Sequence, residues 1–319
     1  MNTDAIEYWI IDAFFQILGL VPPSMGAAVG NLLGRIGYHA DGRHRKIALS
    51  NLERAFGDNP GPRQRRRLAR RVFQQLGQLL FEIGRYRRWR LEDGPRQIRM
   101  KGLHHYREAL NRGRGVLVMT AHMGNWELMP MLAAMTPVRV HIVYRPLSYP
   151  PLNRYFEASR SRFGAGLIPT ARSMRRILQV LGRGEAVAML MDQNFDCHEG
   201  VFVDFFGHRA CTNKGLALLA RHTGAPVVPV FLIRHHGRFV AEIGPELPLI
   251  RTGDKTKDLE ANTQRYNQII ESVVRRHPEQ WFWVHQRWKT RPYHPWPGPQ
   301  QRASGRCFSA ACISLPPSR

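Results

Sequence analysis

The middle of the chain constrains its fold most. The short runs Gly115 to Thr120, Val138 to Tyr144, Ala186 to Met191, Val227 to Ile233 and Phe239 to Ile243 are β-rich, and each is bounded by turn residues. Stretches with helical spacing separate them, at 123–134, 150–162, 171–182 and 212–223, with another at 256–277. Strands alternating with helices of that length build a layered domain with helices against a sheet. The expected class is α/β, a central mixed sheet flanked by helices.

Two further helices are expected upstream, at 43–56 and 62–90, joined by the turn Asn59-Pro60-Gly61-Pro62. The second carries Leu68, Val72, Leu76, Leu79, Leu80 and Ile83 on one face. Its other face holds Arg63, Arg65, Arg66, Arg67, Arg70 and Arg71, and the run closes with Arg85-Tyr86-Arg87-Arg88-Trp89-Arg90. Such a comb is either a solvated charged face or a contact for lipid phosphates, with Tyr86 and Trp89 at headgroup depth.

The first 23 residues lack a positive n-region and a small-residue cleavage site, so they do not read as a secretory signal. The apolar run from Trp9 to Val21 is interrupted by Asp12 and Gln16 and stopped by Pro22-Pro23. It falls short of the roughly 20 apolar residues that span a bilayer. Tyr8, Asp12 and Gln16 instead mark a narrow polar stripe on a helix that is otherwise apolar, a form suited to a bilayer interface or to a core. A membrane-associated helical segment over 1–40 is the expectation, with the small-residue stretch Met25 to Tyr38 packed behind the first helix. Were the segment to span, the basic cluster Arg43, Arg45 and Lys46 just after it would place the main domain, 41–294, in the cytosol. The Pro-, Ser- and Arg-rich end, 295–319, reads as a disordered tail.

Lys and Arg total 47 against 24 Asp and Glu, a net charge of +23. That field attracts polyanions of any kind: nucleic acid, anionic lipid or an acidic carrier protein. A nucleic-acid role is disfavoured because the chain carries no helix-turn-helix, zinc-finger or RNA-recognition signature. The four cysteines, Cys197, Cys211, Cys307 and Cys312, form no C-x-x-C pair and point to a reducing compartment. Cys197-His198 and His208-x-x-Cys211 offer four possible zinc ligands, but their spacing matches no known finger or ribbon, and they read as incidental loop residues.

The chemistry gathers where the first strand ends. GVLVMT runs into Ala121-His122-Met123-Gly124-Asn125-Trp126-Glu127, placing a histidine at the carboxyl end of a central strand, where α/β sheets carry their sites. On one continuous helix His122 and Glu127 would point about 140° apart. They meet only if His122 lies in a turn, which Gly124 and Asn125 favour. Glu127 could then take the proton of one ring nitrogen and leave the other as a general base. A lone histidine near a carboxylate is more often structural.

The segment HMGNWE resembles the H-x-x-x-x-D/E signature of glycerolipid-type acyltransferases, in particular the lipid A biosynthesis branch. Tyr144-Arg145-Pro146, Asp192-Gln193, Val203-Asp204-Phe205-Phe206-Gly207, Thr223-Gly224-Ala225-Pro226-Val227-Val228-Pro229-Val230 and the closing Trp281-Phe282-Trp283-Val284-His285-Gln286-Arg287-Trp288 follow in order, so the likeness runs from about Arg43 to Pro292.

The resemblance implies transfer of a fatty acyl chain from an acyl carrier protein thioester to a hydroxyl of a lipid A precursor, with no metal and no cofactor beyond that co-substrate. His122 would be the base and Glu127 its stabilising carboxylate. Arg145 and backbone N–H groups near Gly124 and Asn125 could hold the oxyanion, Arg145 being otherwise a surface charge or an anchor for acceptor phosphate. Asp192, Gln193 and Thr212 would lie by the substrate pocket, the alternative for Asp192 and Gln193 being a structural hydrogen-bonded pair. The implied partners are acyl carrier protein, anionic membrane lipid and the lipid A precursor, with no nucleic acid, for a monomer on the cytoplasmic face of an inner membrane. The F-P-E-G segment of phosphatidate-making relatives is missing, which argues against a simple lysophosphatidate acceptor. Another glycolipid or lysophospholipid is the alternative acceptor. The aromatic cluster Trp281, Phe282, Trp283 and Trp288 reads as buried, with a basic edge exposed.

Overall fold

A computed structural model describes residues 3–235 and 237–292. The tail expected over 295–319, with Cys307 and Cys312, lies outside the described residues. Helices α1 (Thr3–Leu18), α2 (Pro23–Ala40), α3 (Gly42–Phe56) and α4 (Pro62–Tyr86) come first, and short α5 (Gly94–Gln97) leads into strand β1 (Ile98–Lys101). Then follow α6 (Leu103–Leu110), β2 (Val116–Thr120), α7 (Met129–Ala134), β3 (Val140–Tyr144), α8 (Pro150–Ser161), β4 (Gly166–Pro169), α9 (Ser173–Gly182) and β5 (Ala186–Leu190). The chain continues through β6 (Gly200–Phe205), β7 (His208–Asn213), α10 (Gly215–Thr223), β8 (Val227–His235), β9 (Arg238–Ile243) and α11 (Lys255–Arg276).

Seven strands form one mixed sheet in the order β1-β9-β8-β2-β5-β3-β4, with β8 and β9 antiparallel and the other pairs parallel. All five residues of β2 are buried, as a parallel strand covered on both faces must be. One apolar cluster, with Leu117, Val187 and Phe231, fills one face, and a second, with Val118, Val228 and Leu232, fills the other. The expected α/β class with a mixed sheet holds.

Several local expectations are corrected. The helix expected over 123–134 is a turn, a short 3-10 stretch at Trp126–Leu128 and then α7. Thr212, expected in a helix, belongs to β7, which pairs with β6 as a separate hairpin. Tyr86 and Trp89 are buried in the core at 1% and 9% exposure, so neither can sit at headgroup depth. Arg65 leaves the arginine comb for the interior, where it donates to the Gly57 and Pro60 carbonyls and pairs with Glu53, closing the α3–α4 turn.

The two N-terminal helices keep a broad apolar face exposed. α1 turns Asp12 and Phe15 inward while Gln16 stays exposed: Asp12, 2% exposed, accepts from Arg87 Nε at 3.0 Å and from Gln16 Nε2 at 2.5 Å. α2 lies against α4 through small residues, and a Cβ on Gly34 or Gly77 would run into the backbone of the facing helix. Among the described residues no single helix is long and apolar enough to cross a membrane, and α1 and α2 meet at a bend of 118°.

Candidate active site

Parallel pairing of β2 with β5 sets Thr120 opposite Leu190. Two residues on, at the carboxyl ends of these central strands, the chain places His122 beside Asp192. The His122 Nδ1 lies 2.8 Å from Asp192 Oδ1, while the His122 backbone N–H donates to Oδ2 at 3.0 Å. The Trp281 indole N–H donates to the same Oδ2 at 2.7 Å. Asp192 is buried, and burial works against its charge. The imidazole and the hydrogen bonds from His122 and Trp281 outweigh that penalty and hold the carboxyl down at about 2.

A carboxylate that accepts Nδ1–H leaves Nε2 as a lone-pair acceptor. Nε2 lies toward the partly exposed side of the ring, with the Gln193 amide nitrogen 3.4 Å away. The edges of Trp126 and Phe282 wall the imidazole, with ring centroids 5.0 Å and 6.0 Å distant.

The expected His122–Glu127 pairing is corrected: the carboxylate bonded to the imidazole is Asp192. Glu127 is engaged elsewhere, accepting from Arg160 Nε at 2.8 Å, Arg160 Nη2 at 2.6 Å and the Trp126 indole at 3.1 Å. Both partners of this bidentate pair are mostly buried. Burial alone would depress the Arg160 guanidinium, but Glu127 more than offsets it and the pKa is raised. The signal for Arg160 in the sequence was absent, because it sits 33 residues beyond Glu127 on the outward end of α8.

Gly124 makes the turn possible. Its φ is +55°, and a Cβ there would overlap the Leu232 carbonyl oxygen. Its N–H donates to the Gln280 carbonyl at 3.0 Å and is therefore not free for an oxyanion. Asn125, fully buried, turns away from the imidazole and donates to Glu82 Oε2 at 3.0 Å. Arg145 is exposed just past β3. Thr212 is buried behind the site and receives a hydrogen bond from Arg287 Nη2 at 2.5 Å. The structure thus brings His122, Asp192 and Gln193 together, sets Glu127 beside them through Trp126, and leaves Gly124, Asn125 and Thr212 as supports.

The closing aromatic motif wraps this turn. Met123 bridges to Trp281, and the Phe282 N–H donates to the His122 carbonyl at 3.2 Å. Trp281, Trp283 and Trp288 are buried as expected, but the basic edge is not all exposed: Arg287 is fully buried. It donates to the Cys211 carbonyl at 2.8 Å and Asn267 Oδ1 at 3.1 Å, and burial lowers its pKa to about 10. The four expected metal-capable residues do not gather. Asp196, Cys197 and His198 share the exposed loop after Gln193, while Cys211 is buried on β7.

The description of the bacterial lipid A biosynthesis acyltransferases matches residues 2–290. The chain belongs to that family. It is 27% identical over 294 residues to the lipid A biosynthesis lauroyltransferase of Escherichia coli, covering 90% of this chain and 93% of the relative. Its likeness to the palmitoleoyltransferase of the same organism is also 27%, over 300 residues, with 90% and 93% covered. A lipid A biosynthesis acyltransferase of Haemophilus influenzae is 26% identical over 285 residues, with 89% and 87% covered. The family match takes in α1 and α2 as well as the sheet, so the N-terminal helices with their exposed apolar face fall within the matched family region.

Proposed function

We propose that this acyltransferase moves a fatty acyl chain from an acyl carrier protein thioester to a hydroxyl of a lipid A precursor, with His122 as general base and Asp192 as the group that orients it. The observation that carries the reading is the Nδ1–carboxylate bond, which leaves Nε2 free to accept a proton. The acceptor oxygen attacks the thioester carbonyl carbon as its proton passes to Nε2, and Asp192 stabilises the resulting imidazolium. The tetrahedral intermediate then expels the carrier thiolate, which takes the proton back from His122. The Gln193 amide is close enough to donate to the reacting oxygens, a role first sought in the backbone of Gly124 and Asn125. Glu127 acts as a positioning residue: it fixes the Trp126 indole against His122 and holds Arg160 at the rim.

The same reading seats the enzyme on a membrane. Of the 15 large hydrophobic residues exposed among the described residues, 11 lie between Ile6 and Ile36. They include Trp9 and Ile10 at 60% and 62% exposure and Ile17 at 64%. An outward face of Trp9, Ile10, Phe14 and Ile17, with Asp12 turned inward, suits a helix lying in a bilayer interface. The exposed arginines of α4, Arg63, Arg66, Arg67, Arg70 and Arg71, are suited to lipid phosphate or an acidic carrier.

The test is acyl transfer by the purified protein in vesicles, offering acyl carrier protein and coenzyme A thioesters, with products read by mass spectrometry. Acylation of a lipid A precursor from the carrier, abolished in His122→Ala, is the expected result. Transfer only to lysophospholipid, or undiminished transfer by His122→Ala, would overturn the reading.

A further inference from the structure

Beneath the catalytic turn lies a closed ring of hydrogen bonds that the reaction itself does not use. Glu82, on α4, receives Arg234 Nε on Oε1 and Arg234 Nη2 on Oε2, both at 2.6 Å. Its Oε2 also receives the Asn125 amide at 3.0 Å. Arg234, on β8, is in turn bracketed by the Gln280 side chain, which accepts the Arg234 N–H and donates to its carbonyl, each at 2.8 Å. The Gln280 carbonyl accepts from Gly124, whose chain neighbour is Asn125. The ring therefore runs Glu82, Arg234, Gln280, Gly124, Asn125 and back to Glu82, and it grips two consecutive residues of the turn that carries His122.

The pair is buried, with side-chain exposures of 10% for Arg234 and 7% for Glu82. A buried ion pair contributes little net stability compared with apolar side chains of similar volume. The third bond of this pair ends on Asn125, in the turn that carries His122. Glu82 also sits on the helix whose Gly77 and Gly84 are pressed against α2 and α1. The same helix thus holds the two N-terminal helices through Gly77 and Gly84 and the catalytic turn through Glu82.

We infer that Glu82 and Arg234 are positioning residues for the acyl transfer, holding the His122 turn in register with Asp192 through Asn125. This rests on the proposed role of His122. Displacement of a catalytic group by about 1 Å can cost roughly a hundredfold in rate, and losing the grip on Asn125 frees the turn on its α4 side.

The double variant Glu82→Met/Arg234→Met separates positioning from packing. It removes both charges together, so its melting temperature falls by less than that of either single variant, which strands a buried charge, and what loss remains comes from the buried Asn125 amide left without its acceptor. The inference expects kcat of the double variant to fall about tenfold or more with KM within about twofold, and hydrogen exchange over 121–127 to quicken while that of β2 and β5 is unchanged. A double variant with wild-type kcat and wild-type exchange in the turn would overturn it. Should the double variant not fold, Asn125→Leu keeps the ion pair and cuts the link, and the same two readouts apply. Wild-type protein that transfers no acyl group would sink the functional reading, while the exchange comparison would still judge the grip on the turn.

Discussion

His122 and Asp192 stand opposite one another two residues beyond the carboxyl ends of β2 and β5, and the 2.8 Å contact between Nδ1 and Oδ1 follows from the register of those strands. Because Thr120 faces Leu190, the next alternate residue of each strand must face its counterpart across the sheet edge. The base and its carboxylate are therefore positioned by β2, all of whose residues are buried, and by its parallel neighbour β5. Glu127, though closer in sequence, lies in a 3-10 stretch and takes Arg160 as its partner.

Gly124→Ala tests the turn. The positive φ and the nearby Leu232 carbonyl make any side chain there strained, with an expected cost of about 2 kcal/mol or more. Thermal unfolding should begin several degrees lower, and turnover should fall further than stability alone explains. An alanine variant with wild-type melting and turnover would show that the turn tolerates another conformation.

Acid should loosen the loop that carries Gln193. Burial lowers the His285 imidazole to about 4, and its Nε2 accepts the Asn194 N–H at 2.7 Å, a bond that a protonated ring cannot accept. The unfolded chain binds that proton at its ordinary value near 6.5, so folding stability is complete above that pH and is lost as pH falls from about 6.5 toward 4. The loss is on the order of 3 kcal/mol. Melting temperatures measured between pH 7.5 and 4.5 should fall for the wild type and fall less for His285→Gln.

Ile10→Asp/Ile17→Asp tests the outward apolar face. Both side chains are more than 60% exposed, so the fold should be kept and melting should change little. Sedimentation with anionic phospholipid vesicles should weaken at least about tenfold. Equal sedimentation of variant and wild type would place the membrane contact elsewhere.

The strands around the site are legible because β2 and β5 are continuous apolar runs, and β3, β8 and β9 are rich in β-branched and aromatic residues, all between turn residues. β1 and β4 were not read, since each is four residues long and holds too little pattern to separate from a loop. The hairpin of β6 and β7 gives little local sign because β7 opens on the exposed pair His208-Arg209 and then buries Ala210, Cys211 and Thr212 in succession, with no alternation. His122 was visible from its place after a strand, and Asp192 stood out as a polar residue ending a buried one. Their pairing was not visible, because the strand order β2-β5-β3 depends on crossovers that no local pattern specifies. For the same reason Arg160 and Glu82, remote in sequence from the turn they serve, gave no local sign of their partners.

The most direct measurement compares turnover in Asp192→Asn and Glu127→Gln with the wild type. An asparagine at 192 can present its amide to Nδ1 and leave the proton on Nε2, the wrong tautomer for a base, and kcat should drop roughly a thousandfold or more. Glu127→Gln keeps a hydrogen-bonding partner for Arg160 and Trp126, so its loss should be at least tenfold smaller. Near-normal turnover in Asp192→Asn beside a collapse in Glu127→Gln would contradict the account and return the orienting role to Glu127.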